Sequence, residues 1–187
     1  MTRFAPFLLL ALVACGDNDP RYLISAPAET GTAGQVALRV ATLEVRQVSL
    51  PAYAAEDEIL REDETGALKP VQGALWADTP PRAMTQLLAD RIAARSRAQV
   101  AAEPWPLSTP AQALVDVRVS ELAARLDGQM HLTGQFAISS PDQIVRERIA
   151  PFAIAVPLAG DTPAEIARAT GRALEQLAEQ VIATLRR

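Results

Sequence analysis

The sequence is poor in cysteine, histidine and aromatic side chains. Its 187 residues include one Cys, Cys15, and one His, His131, and aromatic residues make up 4%. A single Cys excludes an intrachain disulfide. Without a second His or Cys, a zinc site would need carboxylates alone, which zinc rarely accepts. The scarcity of aromatics predicts a core built mainly from Ala, Leu and Val.

Long hydrophobic runs and clustered positive charge are also missing. The apolar run at residues 4–14 is too short for a membrane-spanning helix, which needs about 20 residues. The formal net charge is −4 and no basic patch stands out, so the sequence predicts no nucleic-acid partner.

Catalytic motifs are absent as well. The chain has no Gly-x-Ser-x-Gly elbow and no Gly-rich phosphate loop. His131 alternates with Met130 and Leu132, which predicts that it lies on the solvent face of a strand. The acidic runs 56–58 and 62–64 lack the Gly and the ligand spacing of a calcium loop, so a solvated acidic face is expected. We therefore predict no enzyme, no cofactor and no metal site.

What is present is Cys15, directly after the apolar run. Small residues before a lone Cys, here Leu12-Val13-Ala14, resemble the lipobox of bacterial lipoproteins. That resemblance implies cleavage before Cys15 and acylation of both its thiol and its new amino terminus. The chain then divides into a signal peptide (1–14), a lipidated Cys with a short tether (15–21) and one folded domain (22–187). A plain cleaved secretory signal is the alternative for the same segment.

The tether between this Cys and the domain is short. From Cys15 to Tyr22 there are seven residue steps, which span at most about 25 Å when fully extended. The folded domain is therefore expected to lie close to its membrane.

Short strands are predicted in the first part of the domain. Tyr22-Leu23-Ile24 is typical of a brief first strand, and residues 36–40 alternate apolar and other residues, in a strand that extends through Val45. Segments 59–61 and 68–71 flank a turn at Glu64-Thr65-Gly66 and predict a small hairpin.

Two amphipathic helices are predicted. The first has Thr79 as N-cap and Pro80 at its first position, runs to about Arg95, and precedes a strand near Val100. The second begins with a capping box at residues 162–165. Their apolar stripes consist of Met84, Leu87, Leu88 and Ile92 in the first, and Ile166, Thr170, Leu174, Leu177, Val181 and Leu185 in the second.

A long hairpin is predicted between these helices, at residues 114–139. Asp127-Gly128 is typical of a two-residue turn with positive φ at both positions, which pairs Leu126 with Gln129. That register places Val119 opposite Phe136 and Val117 opposite Ile138. A further strand is expected at 145–157, with Pro151 indicating an edge position or a bulge.

These elements predict an α+β fold in a single domain. Consecutive hairpins give a mainly antiparallel sheet, and the two amphipathic helices pack on it.

The order of these features resembles the PqiC family, the ABC-type transport auxiliary lipoprotein component. The resemblance rests on the lipobox, the early Tyr22 strand, the Leu50-Pro51-Ala52-Tyr53 segment, Trp76-Ala77 before a helix, and the hairpin of 115–128 with the C-terminal helix. The family commonly continues Leu-Pro-x-Tyr with a Leu and an Asp-Arg pair, where this chain has Ala54-Ala55-Glu56.

The resemblance implies a non-enzymatic periplasmic adaptor of a lipid transporter. Its partners would be an MCE-domain protein and the associated permease, with Leu50, Pro51, Tyr53 and Trp76 as partner-binding residues. A Trp near prolines is, however, more often a cap at the edge of a core. An aliphatic lipid pocket, which would make the protein a lipid-binding carrier, is the second functional hypothesis.

Two further expectations concern location and assembly. In the common enterobacterial rule, Asp directly after the acylated Cys retains a lipoprotein in the inner membrane. Here that position is Gly16, which predicts the periplasmic side of the outer membrane rather than the inner membrane. A homo-oligomeric ring would match a ring-shaped MCE partner.

Overall fold

The computed structural model of the chain describes residues 19–25 and 34–186. The elements follow one another in the order β1 (Arg21–Tyr22), β2 (Thr42–Val45), α1 (Ala52–Ala55), β3 (Glu58–Glu62), β4 (Leu68–Trp76), α2 (Pro80–Arg95), β5 (Gln99–Ala102), β6 (Ala113–Ala124), β7 (Gln129–Ser139), β8 (Arg148–Pro157) and α3 (Pro163–Leu185).

One mixed sheet holds all eight strands. Strands β6, β7 and β8 form an antiparallel meander, and β3 and β4 form a second antiparallel pair. The other edge of β6 is shared: β2 pairs with its beginning and β3 with its end, both in parallel. Strand β5 then follows β2, and β1 follows β4, again in parallel.

The predicted α+β single domain with a mainly antiparallel sheet is confirmed, and the sheet also contains parallel pairings that the sequence did not predict. Four of its seven strand pairings are parallel. The parallel partners are distant in sequence, as in Thr42 opposite Gln99, because parallel neighbours need long connections. The prediction considered hairpins between consecutive segments and therefore found only the antiparallel part.

The predicted strand at 36–40 does not form, although residues 42–45 do form β2. Val36 makes one isolated bridge to Ser96. Its amide donates to Arg95 O, and the amide of Arg39 donates to Leu185 O. The side chains of residues 36–40 do alternate in burial. The amides of Val36 and Arg39, however, bond to carbonyls at the carboxyl ends of helices and not to a neighbouring strand.

The first strand also differs from its prediction, while the small hairpin is confirmed. Strand β1 contains only residues 21–22, and Leu23 lies beyond it with 70% of its surface exposed. Strands β3 and β4 flank a turn in which the Gly66 amide donates to Asp63 O at 2.9 Å.

The turn between β6 and β7 has three residues, so the predicted two-residue turn is wrong. The Arg125 amide donates to Gln129 O and the Gly128 amide to Arg125 O, and Gly128 has a φ of 77°. Asp127 does not have positive φ. This is the turn with a glycine in the left-handed region that three-residue hairpin loops favour.

The register of this hairpin is consequently shifted from the prediction by two residues. Val117 lies opposite Phe136 and Val115 opposite Ile138, where Val119 and Val117 had been expected. The longer turn accounts for one residue, and a bulge between Val119 and Glu121 accounts for the other. Because two single shifts restore the alternation, the same apolar side chains still share one face.

Both long helices pack on that face, as predicted. Met84, Leu88 and Ile92 of α2 are fully buried, and every predicted stripe residue of α3 is buried. Helix α3 packs on β7 and β8, and α2 packs on β2, β5 and α3. Strand β8 pairs only with β7 among the described strands, so the edge position indicated by Pro151 is confirmed.

Candidate functional site

Three of the predicted partner-binding residues, Leu50, Pro51 and Tyr53, lie in one segment. This segment crosses the edge of β6 between β2 and β3. Ser49 bridges to Arg118: its amide donates to Val117 O, and the Val119 amide donates to its carbonyl, both at 2.9 Å. Pro51 then precedes the single-turn helix α1. The segment thus occupies the part of the β6 edge that neither neighbouring strand covers.

Tyr53 bonds to this uncovered edge. Strand β3 reaches β6 only at Ala124, so the backbone of β6 just before it lacks a ladder partner on that side. The Leu122 amide donates to Tyr53 Oη at 3.2 Å. Since a buried amide without a partner is costly, the phenol group replaces a missing strand bond.

Trp76 lies next to Tyr53, and its side chain is 6% exposed. It ends β4, where its amide donates to Asp57 O at 2.7 Å and its carbonyl accepts from Arg21 Nη1 at 3.3 Å. Tyr53 and Trp76 line one narrow cavity together with Met130 and Ile166. Its free volume of about 20 Å³ holds about one water molecule.

The four predicted residues therefore contribute unequally to the surface. Leu50, Pro51 and Tyr53 are half-buried, Leu50 and Tyr53 pack against the core, and Trp76 is buried. Within α1 it is Ala52 that is exposed. The two aromatic residues hold the segment in place, and the accessible surface is presented by Pro51 and Ala52.

The acidic run at 62–64 accepts hydrogen bonds from residues in the turns of two hairpins, β3–β4 and β6–β7. Glu62 accepts from the Leu126 amide at 3.0 Å and from Arg125 Nη1 at 3.3 Å. Asp63 accepts from Thr65 and from the Ala67 amide, and these bonds, the Thr65 side chain first, lower the pKa of its carboxyl. Among residues 19–25 and 34–186, no three potential ligands are grouped to hold a metal ion.

His131 lies on the solvent side of β7, as predicted, and it has a partner. Its Nε2 lies 2.7 Å from Asp127 Oδ2 in the turn before it. This hydrogen bond is the main cause of the lowered pKa of Asp127. The pair fastens the hairpin turn to its own return strand.

Sequence reasoning missed a charged cluster at the start of α3. Glu165 is 4% exposed and accepts from Arg172 Nη2 at 2.7 Å, Arg168 Nε at 2.9 Å and the Ala159 amide at 3.1 Å. The bond from Arg172 is the largest cause that lowers the pKa of Glu165 to about 2. The capping-box motif located Glu165 but not its partners. The spacing of Arg168 and Arg172, three and seven residues further along the same helix, could have predicted the cluster.

Open pockets flank the other elements. The pocket between the β3–β4 hairpin and Leu126 has a volume of about 400 Å³, and its walls include Arg61, Glu62, Glu64 and Lys69. Pro70, Val71 and Leu126 also line this pocket, but five of its eight lining residues are charged, and burying a charge against an acyl chain is costly.

Cys15 lies outside the described residues, as do the predicted signal peptide and most of the tether. In the part of the chain that is described, no helix is long and apolar enough to cross a membrane.

Comparison with known proteins identifies a family match over most of the chain. The family model described as ABC-type transport auxiliary lipoprotein component matches residues 22–182. None of the curated proteins matches the sequence significantly.

Two solved structures share the fold. An uncharacterized protein superposes with a TM-score of 0.67 at 17% identity, over 80% of this chain and 98% of its own. A Xanthomonas campestris protein of family DUF330 superposes with a TM-score of 0.62 at 18% identity, over 89% of this chain and 92% of its own. At these identities the likeness establishes the fold alone.

Proposed function

Because the chain belongs to the family of ABC-type transport auxiliary lipoprotein components, we propose that it is the docking subunit of an intermembrane lipid transporter. In this role it is a periplasmic lipoprotein that joins an MCE-domain protein and its permease to a membrane. It performs no catalysis and needs no cofactor. The family match is the observation that carries this proposal.

The cavities of the described residues favour an adaptor over a lipid carrier. The narrow cavity at Tyr53 and Trp76, whose lining is largely apolar, has room for about one water molecule. The larger pocket at Arg61 is open and has ionic walls. Mass spectrometry of the purified non-acylated domain should accordingly find no lipid that co-purifies with it, and a stoichiometric lipid would favour the carrier.

The membrane anchor in this proposal is Cys15. Acylation at more than one position gives stable attachment, since a single acyl chain binds a bilayer only marginally. A Cys15→Ala variant should leave the membrane fraction. Gly16 directly after Cys15 supports the outer membrane as its location.

The partner contact that we propose is the surface of the Leu50–Tyr53 segment. Pro51 and Ala52 present it, while Tyr53 and Trp76 fix its position through the Leu122 amide and the core. Substituting Trp76 would disturb the fold as well as the surface. Ala52 is the better probe, because it is exposed and α1 accepts a long side chain there.

Affinity purification from detergent-solubilised envelopes tests the proposal. The acylated chain should recover an MCE-domain protein, and Ala52→Arg should reduce that recovery several-fold. Gln99→Arg, which adds the same charge at an exposed position of β5, should recover as much as the parent.

Two results would count against this function. If the parent chain repeatedly recovers no MCE-domain protein, the partner is wrong. If Ala52→Arg and Gln99→Arg both recover it fully, the partner stands but binds elsewhere. Genes for an MCE protein and a permease next to this gene would support the same conclusion independently.

A further inference from the structure

Leu23 carries a large exposed apolar surface where the tether meets the domain. It is 70% exposed, directly after the end of β1. Together with Tyr22, Ile24, Ala83 and Leu87 it lines a groove of about 210 Å³ between β1 and α2. We call these five residues the Leu23 patch.

The polar residues that line the groove beside the Leu23 patch are Asp78, Gln86 and Asp90. Asp78 pairs with Arg82 at 3.3 Å, and Asp90 accepts from Gln86 at 2.9 Å. An apolar centre with a polar rim is the mark of an interaction surface. The described lining of the groove contains two carboxylates and no Lys or Arg, so it does not provide the basic cluster that selects anionic headgroups.

The chain is fixed to the sheet at Pro20, just before this patch, and at Tyr22 within it. The Leu75 amide donates to Pro20 O at 3.1 Å, and the Ala77 amide donates to Tyr22 O at 2.9 Å. From Cys15 to Pro20 there are five residue steps, at most about 18 Å. An acylated Cys15 would therefore keep the surface around Pro20 within that distance of the lipid headgroups.

We propose that the Leu23 patch rests on the bilayer that holds the acyl chains of Cys15, with the Leu23 side chain inserted among the lipids. This inference rests on the lipid anchor of the proposed function. The short chain between Cys15 and Pro20 is what selects a lipid surface as the occupant. Since burial of apolar surface provides the attraction, the contact depends little on lipid charge.

Site-specific fluorescence in vesicles tests this contact. Cys15 is the only cysteine and its thiol is consumed by acylation, so Leu23→Cys supplies a single thiol for an NBD fluorophore. The acylated full chain is reconstituted into vesicles of phosphatidylethanolamine and phosphatidylcholine. Nitroxide-labelled lipids should quench the fluorescence of the probe at residue 23. Aqueous iodide should reach this probe several-fold less in the vesicles than in the soluble domain that is released when a protease cuts the tether.

Ile149→Cys is the matched control. Ile149 is 67% exposed, and its strand β8 is separated from β1 in the sheet by β7, β6, β3 and β4. A probe there should remain fully accessible to iodide and insensitive to the nitroxide lipids. Replacing part of the phosphatidylcholine with phosphatidylglycerol should leave both readings unchanged.

The outcomes separate this inference from the function on which it rests. Intact-mass measurement first establishes whether Cys15 is acylated, and an unmodified Cys15 would refute the anchor and the inference together. With an acylated chain, equal iodide quenching at residues 23 and 149 would overturn the inference alone. Shielding of residue 23 only after a partner protein is added would also overturn it, because the patch would then bind protein.

Discussion

At the scale of single residues, Glu165 shows why a buried carboxylate is retained. It joins the first turn of α3 to the end of β8, since Arg172 bonds both Glu165 and Pro157 O. The negative charge also lies near the amino end of a helix, where it is favoured. The motif Thr-Pro-Ala-Glu predicted a reciprocal cap, but the Glu165 side chain accepts from Ala159 instead.

Glu165→Gln should lower the free energy of unfolding by about 2 kcal/mol at pH 7, because it removes the charge from hydrogen bonds with two Arg side chains. The folded-state pKa of about 2 lies below the ordinary 4.5. The stabilisation is therefore complete above pH 4.5 and is lost as the pH falls towards 2. Urea denaturation at several pH values measures this.

A matched substitution on the same helix separates burial from charge. Glu179 pairs with Arg95, but its side chain is 57% exposed, so Glu179→Gln should cost less than about 1 kcal/mol. If Glu165→Gln were no more costly than Glu179→Gln, or if the difference between parent and Glu165→Gln did not shrink at low pH, the role given to the Glu165 cluster would be wrong.

At the scale of elements, helix ends were predictable and their capping bonds were not. Thr79 and Thr162 both precede Pro, and both were predicted as N-caps. In the structure only the Thr162 hydroxyl accepts from an amide of the first turn, that of Glu165 at 3.3 Å. The Thr79 side chain makes no capping bond.

Thr162→Ala should therefore destabilise the protein by about 1 kcal/mol, and Thr79→Ala by less than about 0.5 kcal/mol. The reason is that only Thr162→Ala removes a side-chain acceptor from an amide of the first helical turn, although the Glu165 amide keeps its bond to Thr162 O. Thermal or urea unfolding of the two variants measures the contrast, and equal losses would contradict it.

The β6–β7 hairpin shows a second limit of sequence reasoning. Apolar alternation predicted which face of each strand is buried, and that face is correct. It did not predict the register, because the bulge near Ser120 changes the alternation within β6 without any Gly or Pro in that strand. Gly134 in the facing strand was the available signal: a Cβ there would lie 2.2 Å from Arg118 O.

Gly134→Ala should destabilise the domain by about 3 kcal/mol, the upper end of overpacking costs, because the nearest obstacle is backbone. Gly160→Ala provides the control, since a Cβ at that position meets nothing within 4 Å. It should change the free energy of unfolding by less than about 0.5 kcal/mol. Comparable stability of the two variants in urea would show that β6 and β7 can separate at the bulge at little cost.

At the scale of the whole molecule, local patterns predicted the layers but not the strand order. Arg21 pairs with Leu75, and Thr42 with Gln99, across more than fifty residues in each case. No short pattern encodes such pairs. The same limit applies to the candidate site: Tyr53 was located by its motif, but its bond to Leu122 depends on where β2 and β3 end along β6.

The proposed location depends on the residue that follows the anchor. Gly16→Asp should move the acylated chain from outer-membrane to inner-membrane fractions, because an Asp directly after the acylated Cys is the retention signal of the enterobacterial rule. Asn18→Asp adds the same charge two positions later and should leave the distribution unchanged. Density-gradient fractionation against markers of both membranes measures this. A parent chain that already accompanies inner-membrane markers would refute the outer-membrane location, and the docking role would then have to act from the other side of the periplasm.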